Sequence, residues 1–167
     1  MRILFGTDGS RYSLAAARFL ADWIPGEGKR VDLVAVAPKA PPSERRSYGK
    51  PQPTEELWRG AVGRWIEDAA RPLESRGFDV ERRPAQSASA ASHIVERART
   101  EDYDLVVVGG KGRSDEPYFD VGSVARSVLD YAPTSVLMVR EREPKDREKR
   151  IPDELHPFRI LLPTDGE

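Results

Sequence analysis

Short apolar runs separated by helical patterns constrain the fold of this chain more than any single residue does. Residues 2–5 (RILF), 31–37 (VDLVAVA), 78–83, 105–108 (LVVV) and 135–139 (SVLMV) read as strands, and an amphipathic helical stretch lies in each gap between them. Leu14, Ala17 and Leu20 recur at helical spacing after Ser10, a good N-cap, and Pro25-Gly26 stops that helix just beyond Trp23. Thr54 opens a second helix with Leu57, Ala61, Trp65, Ile66, Ala69 and Leu73 inward. Trp58 and Val62 widen this stripe, which reads as core, and Pro72 is expected to kink or shorten the last turn. Ser87 or Ser89 starts a third helix, with Ala91, Ile94, Val95 and Ala98 inward and His93 at the surface or rim; a fourth runs from Ser123 to about Pro133. Strands alternating with helices imply βαβ units, hence an α/β fold with a parallel sheet covered on both faces. The alternating, charged run 78–83 is expected at a sheet edge.

The stretch richest in chemical suggestion is 105–124. Its strand empties into Gly109-Gly110-Lys111-Gly112, and after nine more residues Gly122-Ser123 begins a helix. Glycines that allow close backbone approach, followed by a helix N-terminus, can present N–H groups to a phosphate. The same residues also suit a plain strand–turn–helix loop with Ser123 as N-cap. A second glycine-containing loop, Gly6-Thr7-Asp8-Gly9-Ser10, likewise follows an apolar strand. Both loops are therefore expected on the C-terminal rim of the sheet, where ligands of such folds sit.

Composition removes several function classes. A chain of 167 residues with 38% hydrophobic content supports one core. A net charge of −1 provides no field for nucleic acid or anionic lipid. Cysteine is absent, and His93 and His156 lie far apart, so thiolate chemistry and a histidine-spaced metal site are excluded. No apolar run approaches the ~20 residues needed to span a bilayer, and Met1 leads directly into a strand, so a soluble cytoplasmic protein is expected. A Walker A pattern and a G-x-S-x-G elbow are missing, and Asp8 alone does not make a phosphoryl-accepting receiver.

Residues 38–53 are proline-rich and carry Lys39, Arg45, Arg46 and Lys50, which reads as a surface loop in preference to a basic lid. Residues 141–150 are almost entirely charged and read as linker. Beyond them Arg159-Ile160-Leu161 and Thr164-Asp165-Gly166 repeat Arg2-Ile3-Leu4 and Thr7-Asp8-Gly9 at a constant offset. The expected organisation is a domain over 1–140, a linker over 141–157, and the first strand of a second, tandem copy over 158–167. That strand is expected to be disordered or paired with an exposed sheet edge.

The opening RIL-x-x-TDGS, the pattern Gly109-x2-Gly112-x9-Gly122-Ser123 and the following SVARSVLDYAPTSVLMVR resemble the universal stress protein family. The resemblance implies a five-stranded parallel sheet of order 3-2-1-4-5, in the manner of adenine nucleotide alpha hydrolases, with the ligand between strands one and four. It implies ATP as ligand, bound with Mg2+ that is held mainly by phosphates and water. Asp8 would bond the ribose hydroxyls, with Gly6 and Thr7 packing at the nucleoside and Val36 offering backbone groups to adenine. Gly109, Gly110 and Gly112 would admit the ligand, and Gly122, Ser123, Val124 and Ala125 would cradle the phosphates. The implied role is nucleotide sensing or sequestration in stress response, signalled through a homodimer along the last strand or through pairing with a second repeat. A slow ATPase and an interaction module without nucleotide are the alternatives. Gly6 stands where the family usually has proline, and Lys111 where histidine is common. Asp115, Glu116 and Asp120 place negative charge between the glycines.

Overall fold

Along β1 (Arg2–Gly6), Ile3 and Phe5 pack to one side of the sheet and Leu4 to the other, and all three are fully buried. Only a central strand with both faces covered buries successive residues in this way. The computed structural model describes residues 1–38, 55–112 and 121–140. Within them follow α1 (Arg11–Trp23), β2 (Arg30–Pro38), α2 (Glu55–Glu74), β3 (Asp79–Ser87), α3 (Ala90–Thr100), β4 (Leu105–Gly109), α4 (Ser123–Tyr131) and β5 (Ser135–Val139). The strands form one parallel sheet in the order β3-β2-β1-β4-β5.

The chain winds outward from β1 to β3, returns past β1, and winds the other way through β4 and β5. Right-handed crossovers then place the first two helices on one face and the last two on the other. The packing follows this rule. Ala16, Ala17 and Leu20 of α1 and Val62, Ile66, Ala69 and Leu73 of α2 cover Ile3, Phe5, Val31, Leu33 and Val107. Ile94, Val95 and Ala98 of α3 and Ala125 and Val128 of α4 cover Leu4, Val34, Val106 and Val108.

Three local expectations change. β3 runs to Ser87 and pairs with β2 along its whole length, from Arg30↔Asp79 to Pro38↔Ser87. It contains Pro84, which an outer strand tolerates because one of its edges needs no ladder donor. The helix α2 continues past Pro72 to Glu74. The turn after it closes on Gly77 at a φ of +83°, with the Ser75 hydroxyl donating to the Pro72 carbonyl. The start of α4 is capped by Gly122, not Ser123, and Gly122 supplies no side-chain cap bond. Thr54 as a cap, the loop 39–54, the acidic residues 115–120 and everything from 141 onward lie outside the described residues.

At the N-terminal ends of the strands, β2 buries a charge. The Asp32 carboxylate accepts from the Tyr103 hydroxyl at 2.7 Å, Arg2 Nη2 at 2.8 Å and Arg30 Nε at 3.0 Å. Glu101 joins by accepting from Arg2 at 2.6 Å and pairing with Arg97 at 2.8 Å. Burial alone would push Asp32 up, but the bonds from Tyr103, Arg2 and Arg30 outweigh it and hold the carboxyl below the usual range. Burial and the bond to Asp32 push the Tyr103 phenol up to about 12. No helix among the described residues is long and apolar enough to cross a membrane.

Candidate functional site

The winding reverses between β1 and β4, and a cavity of about 290 Å³ opens there at the C-terminal ends of the strands. That volume lies just under the ~300–1,000 Å³ common for small-molecule sites. One wall is the loop after β1. Thr7 N–H reaches across to the Val34 carbonyl at 2.8 Å, and Thr7 Oγ1 bonds to the buried Ser13 Oγ at 3.1 Å. Asp8 Oδ1 accepts from Ser10 N–H at 3.0 Å, a side-chain turn that leaves Oδ2 on the Gly112 side. Ser10 then caps α1 by accepting from Ser13 N–H at 3.2 Å. The turn needs Gly9 in the left-handed region, at a φ of +71°.

The opposite wall is the loop after β4. Gly110 N–H donates to Val139 O at 2.8 Å, and its own carbonyl accepts from Gly122 N–H at 2.8 Å. This bond sets the residue before α4 beside the end of β4, at the cavity. Here the glycine pattern has a packing cause as well as a spatial one. A Cβ on Gly109 would stand 2.7 Å from Ser13 N, and one on Gly122 would stand 3.2 Å from Lys111 Cα. A Cβ on Gly112 would stand 3.1 Å from Asp8 Oδ2, which brings the two walls within reach of each other.

The first intrahelical bond of α4 is Arg126 N–H to the Gly122 carbonyl. The N–H groups of Ser123, Val124 and Ala125 precede it and have no acceptor inside the helix. They face a cavity that these residues line, with the positive end of the helix dipole behind them. Among the described lining residues only Asp8 and Lys111 carry charge. The remaining wall is apolar, from Val34, Val36, Val108 and Ile94. The arrangement therefore offers an apolar slot, one acceptor and a row of backbone donors.

Every residue expected at the site from sequence lines this cavity except Gly110, which instead ties the loop to β5. Sequence reasoning missed Ser13, Val34, Val108, Ala90 and Ile94. The last two belong to the first turns of α3, which reaches the rim only through the βαβ crossover. Ile94 also fills the space beside Gly6, where a Cβ would come within 2.8 Å of its Cδ1. His93 is half-buried, as a rim position requires. Its Nε2 has no hydrogen-bond partner among the described residues, and burial, then the nearby Arg97, lowers its pKa.

Solved structures that share this fold include universal stress proteins. The one from Archaeoglobus fulgidus is 21% identical, covers 83% of this chain and 93% of its own, and superposes with a TM-score of 0.62. A universal stress protein in complex with cAMP is 23% identical over 84% of this chain and 96% of its own, with a TM-score of 0.60. An Arabidopsis thaliana family member with AMP bound is 13% identical over 87% and 94%, also with a TM-score of 0.60. No curated protein matches the chain. The profile of the universal stress protein family matches residues 1–140, the whole of the described sheet with its helices, and the chain belongs to that family.

Proposed function

We propose that this protein binds an adenine nucleotide, ATP with Mg2+ in the first instance, at the cavity between β1 and β4. The observation that carries the reading is the convergence of Asp8 and the first-turn N–H groups of α4 on one cavity. The donor set suits the ligand: Val34, Val36 and Ile94 give an apolar slot for a base, and Asp8 an acceptor for ribose hydroxyls. Ser123, Val124 and Ala125 give backbone donors for phosphate, and Lys111 a point charge. Mg2+ would be held by phosphate oxygens and water, with Asp8 the one carboxylate among the described lining residues. Relatives of this fold in complex with AMP, cAMP and dAMP support the ligand class.

The role that follows is nucleotide sensing or sequestration in the cytoplasm, reported through association along β5. β5 is the outer strand of the described sheet on that side, and outer strands offer backbone groups to a partner. The test is calorimetric titration with Mg-ATP, AMP and cAMP, after denaturing the purified protein and chromatographing any nucleotide it carries. Saturable binding that falls about a hundredfold in both Asp8→Ala and Gly122→Glu is the expected result. No binding by protein free of carried nucleotide would refute the assignment.

A further inference from the structure

Gly9 lies one residue beyond Asp8, and the indole of Trp65, from the middle of α2, packs directly against it. A Cβ placed on Gly9 would fall onto the five-membered ring, 2.6 Å from Nε1. The ring therefore occupies the space that any other residue at position 9 would need. Trp65 is itself braced by Trp58, edge to face, with ring centroids 5.9 Å apart. Both belong to the stripe that seats α2 on the sheet. Neither lines the cavity.

The loop beneath this ring holds its shape by short, local bonds: Gly9 N–H to Thr7 Oγ1 at 3.3 Å and Ser10 N–H to Asp8 Oδ1 at 3.0 Å. Bonds of this kind in a glycine turn are individually weak and do not fix one conformation alone. A glycine at positive φ also gives up the most conformational freedom on ordering. A flat, rigid ring laid over the turn removes the alternatives from outside the cavity lining.

We infer that Trp65 is a positioning residue that clamps the Gly6–Ser10 loop, so that Asp8 is held towards the cavity before any ligand arrives. This rests on the nucleotide reading for its functional meaning, but the clamp itself is a property of the free protein. Preorganisation of this kind improves affinity by removing the ordering cost from the binding step.

The experiment uses the full chain and two readouts. Amide hydrogen exchange followed by NMR on nucleotide-free protein reports the loop at Gly9 and Ser10. Calorimetry with Mg-ATP reports the site. In Trp65→Ala, exchange at Gly9 and Ser10 is expected to quicken about tenfold or more, while Leu4 and Val107 keep their protection. Mg-ATP affinity should fall about tenfold, and Trp65→Phe, which restores a ring, should recover most of it. Should Trp65→Ala fail to fold, Trp65→Leu removes the flat ring while keeping apolar bulk on α2 and is expected to give the same pair of effects. Unchanged exchange at Gly9 and Ser10 in whichever variant folds overturns the clamp. Quickened exchange with unchanged affinity also overturns it as a positioning device. If the parent protein binds no nucleotide, the exchange arm still decides the clamp, and only the nucleotide reading falls.

Discussion

The hydroxyl of Tyr103 donates a 2.7 Å hydrogen bond to the carboxylate of Asp32, a residue 71 positions earlier with no solvent exposure. Breaking a buried charged pair from one side is far costlier than never building it. Tyr103→Phe is expected to lower the unfolding free energy by about 1–2 kcal/mol. Asp32→Ala should lower it by about 3 kcal/mol, since Arg2 and Arg30 lose their shared partner. Urea denaturation checks both; an Asp32→Ala variant as stable as the parent would remove the network from the account of stability.

The same pair predicts opposite behaviour at the two ends of the pH scale. Asp32 sits below its ordinary pKa in the folded protein. Its contribution is present above the ordinary carboxylate value and is lost as pH falls through the depressed one. Tyr103 is raised to about 12, so its contribution holds up to the ordinary phenol value and is lost as pH rises towards about 12. Thermal melts of Asp32→Asn and Tyr103→Phe should therefore flatten the acid and alkaline limbs respectively.

His93 governs the middle of the range. Burial, reinforced by Arg97, favours its neutral form in the folded state. Stability is then present above the ordinary imidazole value and declines as pH falls through the lowered one. His93→Gln should abolish that decline while leaving the melting temperature at neutral pH within a few degrees. An unchanged slope in the variant would count against any role for this imidazole.

Two glycines should respond oppositely to alanine. At Gly109 the new methyl meets Ser13 N at 2.7 Å and the Tyr12 carbonyl carbon at 2.8 Å, both backbone and unable to yield. A loss of about 2–3 kcal/mol is expected. At Gly63, in the middle of α2, nothing lies within 4 Å. Alanine there should stabilise by about 0.5–1 kcal/mol. Chemical denaturation of the two variants side by side tests the contrast.

Gly112→Ala separates site from scaffold. Its methyl would press on Asp8 Oδ2 from 3.1 Å, and the carboxylate can swing away. The expected outcome is a several-fold weaker Mg-ATP titration with little change in melting temperature. Equal loss of both would mean that the loop, not the carboxylate, had been damaged.

Much of this was legible in the amino-acid order because the signals are local. Apolar runs marked β1, β2, β4 and β5, the serine before α1 capped it, and two glycine loops that each follow an apolar strand pointed to one rim. What was missed depends on residues distant in sequence. The far half of β3 has no apolar pattern and is a strand only because β2 pairs with it through Pro38↔Ser87. Ile94 enters the cavity wall through a crossover that no periodicity encodes. Asp32 lay in plain sight within an apolar strand, but its partners Tyr103 and Arg2 come from elsewhere in the chain. Ser123 looked like a cap because serine usually is one; the chain turns a residue earlier, at Gly122.

One residue adds a backbone link between two elements that also pack side by side, the outer strand and the start of α4. Gly110 gives its N–H to the last residue of β5 and its carbonyl to the residue that caps α4. Border strand and pocket floor are thereby connected in series, like two links sharing a pin. A shift of the outer strand is therefore expected to reach the first helical turn through the two peptide units on either side of the Gly110 Cα.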